Sequence, residues 1–192
     1  MRWAIVAIVF CSLTLAPTSG LAQTLATVKS DISRVLAEME GNLVTGEAIS
    51  MNLKDWRGRA DSAKVRFDDL DRRFDELNAY CRGTFEHDEY VRRLAHCESV
   101  GAQLETLKTQ LNLDLANVAA EFETLKAREE TRLTQYRALE ATLSAGLPKL
   151  IDVCTGLAAA ERSGCRMPPA PGPRTASIVN EWNTTLTSLF AP

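Results

Sequence analysis

Cys81, His87, His96 and Cys97 stand within seventeen residues of one another, and all four are of the types that hold zinc. Two thiolates and two imidazoles would complete a tetrahedral shell, but the spacing fits no common zinc module. Adjacent His96 and Cys97 also leave a helix in different directions. Two further cysteines stand at 154 and 165, and a fifth, Cys11, lies in an apolar leader segment. Setting Cys11 aside leaves four, an even number that admits three disulfide pairings.

Other catalytic chemistry finds no footing in the residue pattern. Neither histidine sits in a catalytic motif, and there is no phosphate-binding glycine loop, no HExxH and no thioredoxin-type Cys-x-x-Cys. Asp68, Asp69 and Asp71 resemble a cation cluster, but on a helix they fan around the axis beside Arg72 and Arg73, which makes a solvated charged face. The expectation is a non-enzymatic protein with no catalytic residues, no metal and no cofactor. Asn183-Thr184-Thr185 fits the glycosylation acceptor pattern, which acts only in a eukaryotic secretory pathway.

The elements that carry these residues follow from composition. The chain has 192 residues, 45% hydrophobic and 24% charged, with a formal net charge of −3. That balance lacks the concentrated Lys/Arg surface a nucleic-acid partner needs. The seven prolines fall at 17, 148, 168, 169, 171, 173 and 192, so residues 18–147 contain none. With no alternating β-branched runs in that stretch, the fold class predicted is all-α. Met1 to Ala22 reads as a signal peptide: Arg2, an apolar run from Ala4 to Ala16, Pro17, then small residues at Gly20 and Ala22. Cleavage near Ala22–Gln23 would place the mature chain in the periplasm or outside the cell. The apolar run is shorter than the roughly 20 residues needed to cross a bilayer, so no stable membrane span is expected after its removal.

From Leu53, apolar or small residues recur at 3,4 spacing through Trp56, Ala60, Ala63, Phe67, Leu70, Phe74, Leu77 and Cys81. Charged residues fill the gaps, which predicts a helix with one narrow seam. After a turn-like Arg82 to His87, a second run passes Tyr90, Leu94, Cys97, Val100, Leu104, Leu107, Leu111, Leu115, Val118, Phe122 and Leu125, then Leu133, Tyr136, Leu139 and Leu143. The steps of four at Leu107, Leu111 and Leu115 resemble a stutter. If the two helices fold back on each other, residues whose numbers sum to about 178 face one another. Cys81 then meets Cys97, Leu77 meets Gly101, Phe74 meets Leu104 and Trp56 meets Phe122, whereas Leu70 meets Lys108 unless the seam slides to Leu107. The register therefore predicts disulfides Cys81–Cys97 and Cys154–Cys165, the first closing a fifteen-residue loop that contributes about 3 kcal/mol by restricting the unfolded chain.

Leu25, Val28, Ile32, Val35 and Met39 form a further stripe that precedes Gly41 to Gly46. Two arrangements fit: a first arm collinear with the hairpin, or a turn at the glycines that packs the segment as a third helix. Gly146 and Pro148 are expected to bend or end the second helix. Met167 to Pro173 predicts a stiff extended linker, and Ile178, Trp182, Leu186 and Leu189, with Phe190 beside them, predict a short amphipathic tail. The organisation expected is a signal peptide (1–22), an N-terminal helix with a Gly-flanked break (23–46), an antiparallel coiled-coil hairpin (47–147, tip at 82–88), a short disulfide-closed helical segment (148–165), a Pro-rich linker (166–174) and the tail helix (175–192). The terminal helices widen the hairpin to a small bundle if they pack on it.

Functionally this pattern predicts a structural or protein-interaction arm of the cell envelope. It would act through a protein partner or self-association, with Phe85, His87 and Tyr90 at the tip and Ile178, Trp182 and Leu186 on the tail as the contact residues. In architecture it resembles the hairpin arms of cell-envelope adaptors and hydrolase activators, a likeness of shape that no motif carries. The alternative is a helical bundle that binds a small apolar ligand between Trp56, Phe122 and the tail helix.

Overall fold

The structure, a computed structural model, describes residues 18–190. The signal-peptide reading of residues 1–17 lies outside them. The fold is all-α: α1 (Thr18–Cys81), α2 (His87–Gly156), a 3-10 segment (Ala159–Cys165) and α3 (Ala176–Phe190), with no strand among the described residues. The two long helices pack against each other. The chain divides into two compact units, one running from Gly41 to Arg137 and the other combining the residues up to Glu40 with those from Ala138 onward.

In the Gly41–Arg137 unit, the seam residues Ala63, Leu70, Leu104 and Leu111 are buried together, with Phe67, Phe74, Leu77, Val100 and Leu115 half-buried against them. Pairs that sum to 178 meet. The rings of Trp56 and Phe122 lie 4.6 Å apart, and a β-carbon at Gly101 would lie 3.8 Å from Leu77 Cδ2. Leu107 is exposed, however, as are Tyr90, Leu94 and Leu133, so these four do not belong to the seam. At the stutter the ammonium of Lys108 sits 5.6 Å from the Phe74 ring centroid and 3.6 Å from Glu105. A lysine stem covers the apolar layer while its charge reaches solvent, which is why a charged residue serves where the leucine next to it was expected.

The break expected at 41–46 does not occur, and α1 is helical throughout. Asn42 is buried and donates Nδ2–H to the Arg132 carbonyl at 3.1 Å, while its Oδ1 accepts from Arg132 Nη1 at 3.0 Å. Arg132 in turn grips Glu129 with two hydrogen bonds. A β-carbon at Gly46 would lie only 3.0 Å from Arg132 Cζ. Gly46 is therefore space for a guanidinium within the helix pair, not a turn. The helix cost of glycine, about 1 kcal/mol each against alanine, is outweighed by this packing.

In the other unit Ile32, Val35, Leu36, Met39, Leu143, Leu150 and Cys154 are buried, as are Val179, Trp182 and Leu186 of α3. A β-carbon at Gly146 would lie 3.1 Å from Ile32 Cγ1 and 3.7 Å from the Trp182 ring, so this glycine makes room for Ile32 with Trp182 beside it. Nor does Pro148 end α2, which continues to Gly156. Its ring is exposed, and Leu143, Gly146 and Leu150 on either side of it are buried. Those contacts outweigh a proline penalty of about 3 kcal/mol. The 3-10 segment then carries Cys165 back to Cys154, their Cα atoms 6.0 Å apart, and Lys29 Nζ donates to the Gly164 carbonyl at 2.9 Å. Burial in that contact pushes the Lys29 ammonium below the usual lysine range.

The segment 166–174 is not a free spacer. Met167 is buried, its N–H donates to Asn183 Oδ1 at 2.7 Å, and its carbonyl accepts from Asn183 Nδ2 at 3.3 Å. At the far end the Glu40 carboxylate accepts from the Thr175 N–H and Thr175 Oγ1, both at 3.0 Å, from the Arg174 N–H at 3.4 Å and from Arg174 Nη1 at 3.0 Å. An anion is thus clasped by the N-terminal end of α3, where free backbone donors favour it. The tail face also differs in phase from the one expected. Val179, Trp182 and Leu186 are buried, Ile178 is half-buried and Leu189 is exposed. Valine at 179 completes a 3,4 spacing that Ile178 does not.

Burial alone would push the Glu40 carboxyl up, but the hydrogen bonds from Arg174 and Thr175 outweigh it and hold it below the usual carboxylate range. Its folded value lies below the unfolded one of about 4.3. The clasp therefore contributes fully above the unfolded value and is lost as the pH falls through the folded one. Protection of the Thr175 amide, measured against its intrinsic exchange rate, is expected to fall across that acidic window, and Glu40→Gln to show low protection already at neutral pH. Equal protection of Thr175 in both proteins at all pH values would refute the clasp.

Candidate functional site

The tip is built where α1 ends at Cys81. Gly83 adopts φ +157°, a left-handed value that side chains disfavour, and the Phe85 ring packs against its bare α-carbon so closely that any β-carbon would collide with it. The chain then enters α2 at His87, with Asp88 and Glu89 in the first turn, where acidic side chains offset the positive end of the helix dipole. The connection is shorter than the expected 82–88, because His87 and Asp88 are already helical.

Cys81 and Cys97 are joined, with Cα atoms 6.1 Å apart. Both sulfurs are consumed in that bond, and the His96 ring packs edge-on against Tyr80 at 5.2 Å. Arg93 forms a second clamp. Its guanidinium lies 3.9 Å over the Phe85 ring and 4.6 Å over Tyr80, donates to the Tyr80 carbonyl at 3.1 Å, and holds Glu89 Oε1 at 3.0 Å through Nε. Cation–π contact and charge-assisted hydrogen bonds here act on one side chain from two helices. The disulfide and Arg93 together fix the direction in which the first turns of α2 emerge.

The residues expected at the contact surface thus have different fates. Phe85 is half-buried beneath Arg93 and serves the turn. His87 and Tyr90 are exposed, and Tyr90 is joined on one helical face by exposed Val91 and Leu94, with Tyr80 exposed on α1. On the tail, Trp182 and Leu186 are buried and Ile178 is half-buried, so these side chains pack within their own unit. Asn183 uses both ends of its amide on Met167, which occupies the nitrogen that glycosylation would need. Trp56 donates its indole N–H to the Val118 carbonyl at 2.7 Å and packs on Phe122, so the two rings form a filled layer.

Two arrangements stand apart from the apolar periodicity of the sequence. The layer of Asn42, Glu129 and Arg132 carries a signal: continuing the 3,4 spacing from Leu125 leads to Glu129, Arg132 and Tyr136, but two charged residues interrupt the apolar pattern. Glu40 gave none, since nothing local distinguishes it from other exposed glutamates. Among the described residues no cluster of His, Cys, Asp or Glu is placed to hold a metal ion, and no helix is long and apolar enough to cross a membrane. No family model, no curated protein and no solved structure matches this chain.

Proposed function

We propose that the protein is a non-enzymatic secreted or periplasmic component whose stapled hairpin serves as a structural and protein-interaction arm in the cell envelope, after cleavage near Ala22–Gln23. The observation that carries this reading is the tip. Tyr90, Val91 and Leu94 stand exposed on one face of a helix whose first turns are held by the Cys81–Cys97 bond and by Arg93. Aromatic and aliphatic side chains presented on a preorganised support lose little entropy on docking, which suits a protein partner. Two disulfides suit an oxidising compartment.

The test is the double substitution Tyr90→Ser with Leu94→Ser. Both side chains are exposed, so thermal unfolding is expected to be unchanged, while retention of a partner captured from the native envelope falls at least about tenfold, as for the loss of two interface anchors. Undiminished retention by the double variant would remove the tip from the account.

A further inference from the structure

We infer that the cleft between the 3-10 segment and α3 binds a small amphiphile with one oxyanion head and one apolar tail. This site is independent of the tip and of the filled Trp56–Phe122 layer. The cleft holds about 600 Å³, within the range of small-molecule sites. Cys165, Leu186 and Phe190 supply apolar walls, Arg162 and Arg166 supply charge, and no acidic residue is among those that line it. Arg93, Arg132 and Arg174 each hold a carboxylate, whereas neither Arg162 nor Arg166 does so among the described residues. The cleft is thus a place of uncompensated positive charge beside apolar surface.

Both arginines are positioned by the fold instead of by a counter-ion. Arg162 donates Nε–H to the Leu157 carbonyl at 3.1 Å and Nη2–H to the Thr155 carbonyl at 3.4 Å, which caps the C-terminal end of α2. Its guanidinium carbon also lies 5.8 Å from the Phe190 ring centroid on the α3 wall, so charge and ring meet across the cleft. Arg166 is exposed, and its backbone stands between two anchors. One is the Cys154–Cys165 bond, and the other is the pair of hydrogen bonds between Met167 and Asn183. The walls are therefore tied to α2 and to α3 before any ligand arrives, which lowers the entropy lost on binding.

The two kinds of lining together select the class of ligand. Guanidinium groups bind carboxylate and phosphate oxygens through parallel N–H donors, so the head is an oxyanion. A simple anion would leave the Phe190 wall in water. An uncharged apolar molecule would cover the arginines without offering them an acceptor, which costs the desolvation of a charged donor. Only a ligand with both parts satisfies both surfaces.

Isothermal titration calorimetry of the full disulfide-bonded chain is the test, with dodecanoate, dodecyl phosphate and dodecyltrimethylammonium as probes below their micelle concentrations. The two anions distinguish a carboxylate from a phosphate head, and the cation carries the same tail with the opposite charge. The expected result is saturable one-to-one binding of at least one anion, the tighter of the two naming the head, with the cation at least about tenfold weaker. Acetate, which has the head without the tail, is expected not to bind. Arg166→Gln is expected to weaken the bound anion at least about tenfold with unchanged thermal unfolding, because that side chain is exposed and holds no partner among the described residues. Arg166→Lys keeps the charge but loses the fork and is expected to fall between the two. No saturable binding of either anion, equal binding of the cation or of acetate, or an affinity unchanged in Arg166→Gln would overturn the proposal.

Discussion

Trp182→Ala is expected to remove about 3–5 kcal/mol from the unit that contains α3, the range for truncating a large buried aromatic residue. The effect concentrates there for three reasons. Trp182 is buried and packs with Ile32 over Gly146, and truncation removes its whole ring from that layer. α3 has only fifteen residues, and a free helix of that length is marginal in water. Releasing it also releases Asn183 from Met167 and strains the Glu40 clasp. Urea unfolding followed by hydrogen exchange reads the outcome: residues 176–190 should lose protection first. A loss under about 1 kcal/mol, the scale of a surface substitution, would show that α3 contributes little to that unit.

Arg132→Ala is expected to cost the Gly41–Arg137 unit about 1.5–3 kcal/mol, the range for losing hydrogen bonds to a charged group, because the Arg132–Glu129 pair is part-buried. The Arg132 guanidinium holds the Glu129 carboxyl below its usual range, and the same pair raises Arg132. Removing the arginine leaves the Glu129 carboxylate without its partner and the Asn42 Oδ1 without its donor, and opens space over Gly46. Converting all three polar residues to leucine should behave differently, with stability equal to or above the parent but a helix pairing no longer held to one register. Chemical denaturation gives the first quantity, and the pattern of amide protection along both helices gives the second. If Arg132→Ala unfolds like the parent, the layer is a surface ion pair with no structural role.

The seam of the hairpin was legible because burial there depends on one repeating property, apolar side chains at 3,4 spacing on both strands of the pair. Tip and disulfide follow from it, since a register that aligns Trp56 with Phe122 must also align Cys81 with Cys97. What the sequence concealed are the places where one residue type serves an unusual purpose. Gly41 to Gly46 and Gly146 with Pro148 carry the marks of helix ends, but packing of Arg132 on Gly46 and of Ile32 with Trp182 on Gly146 outweighs local propensity. The Pro-rich segment has the composition of a spacer, yet the contacts that tie it down come from Glu40 and Asn183, far away along the chain. Long-range hydrogen bonds of that kind leave no periodicity to read. At the tip, Tyr90 and Leu94 have the spacing of seam residues. Their exposure shows that the Cys81–Cys97 bond and Arg93 hold the turn without them.

That division between residues that build the tip and residues that it displays is what the functional proposal rests on. Photocrosslinking in the native envelope tests it most directly, with a photoreactive residue placed singly at Tyr90, Val91 or Leu94 and, for comparison, at Glu123 on an exposed part of α2. The account expects one discrete adduct with another envelope protein from the three tip positions and none from position 123. Adducts of equal yield from position 123, or none from the tip in a protein that folds and accumulates normally, would contradict it.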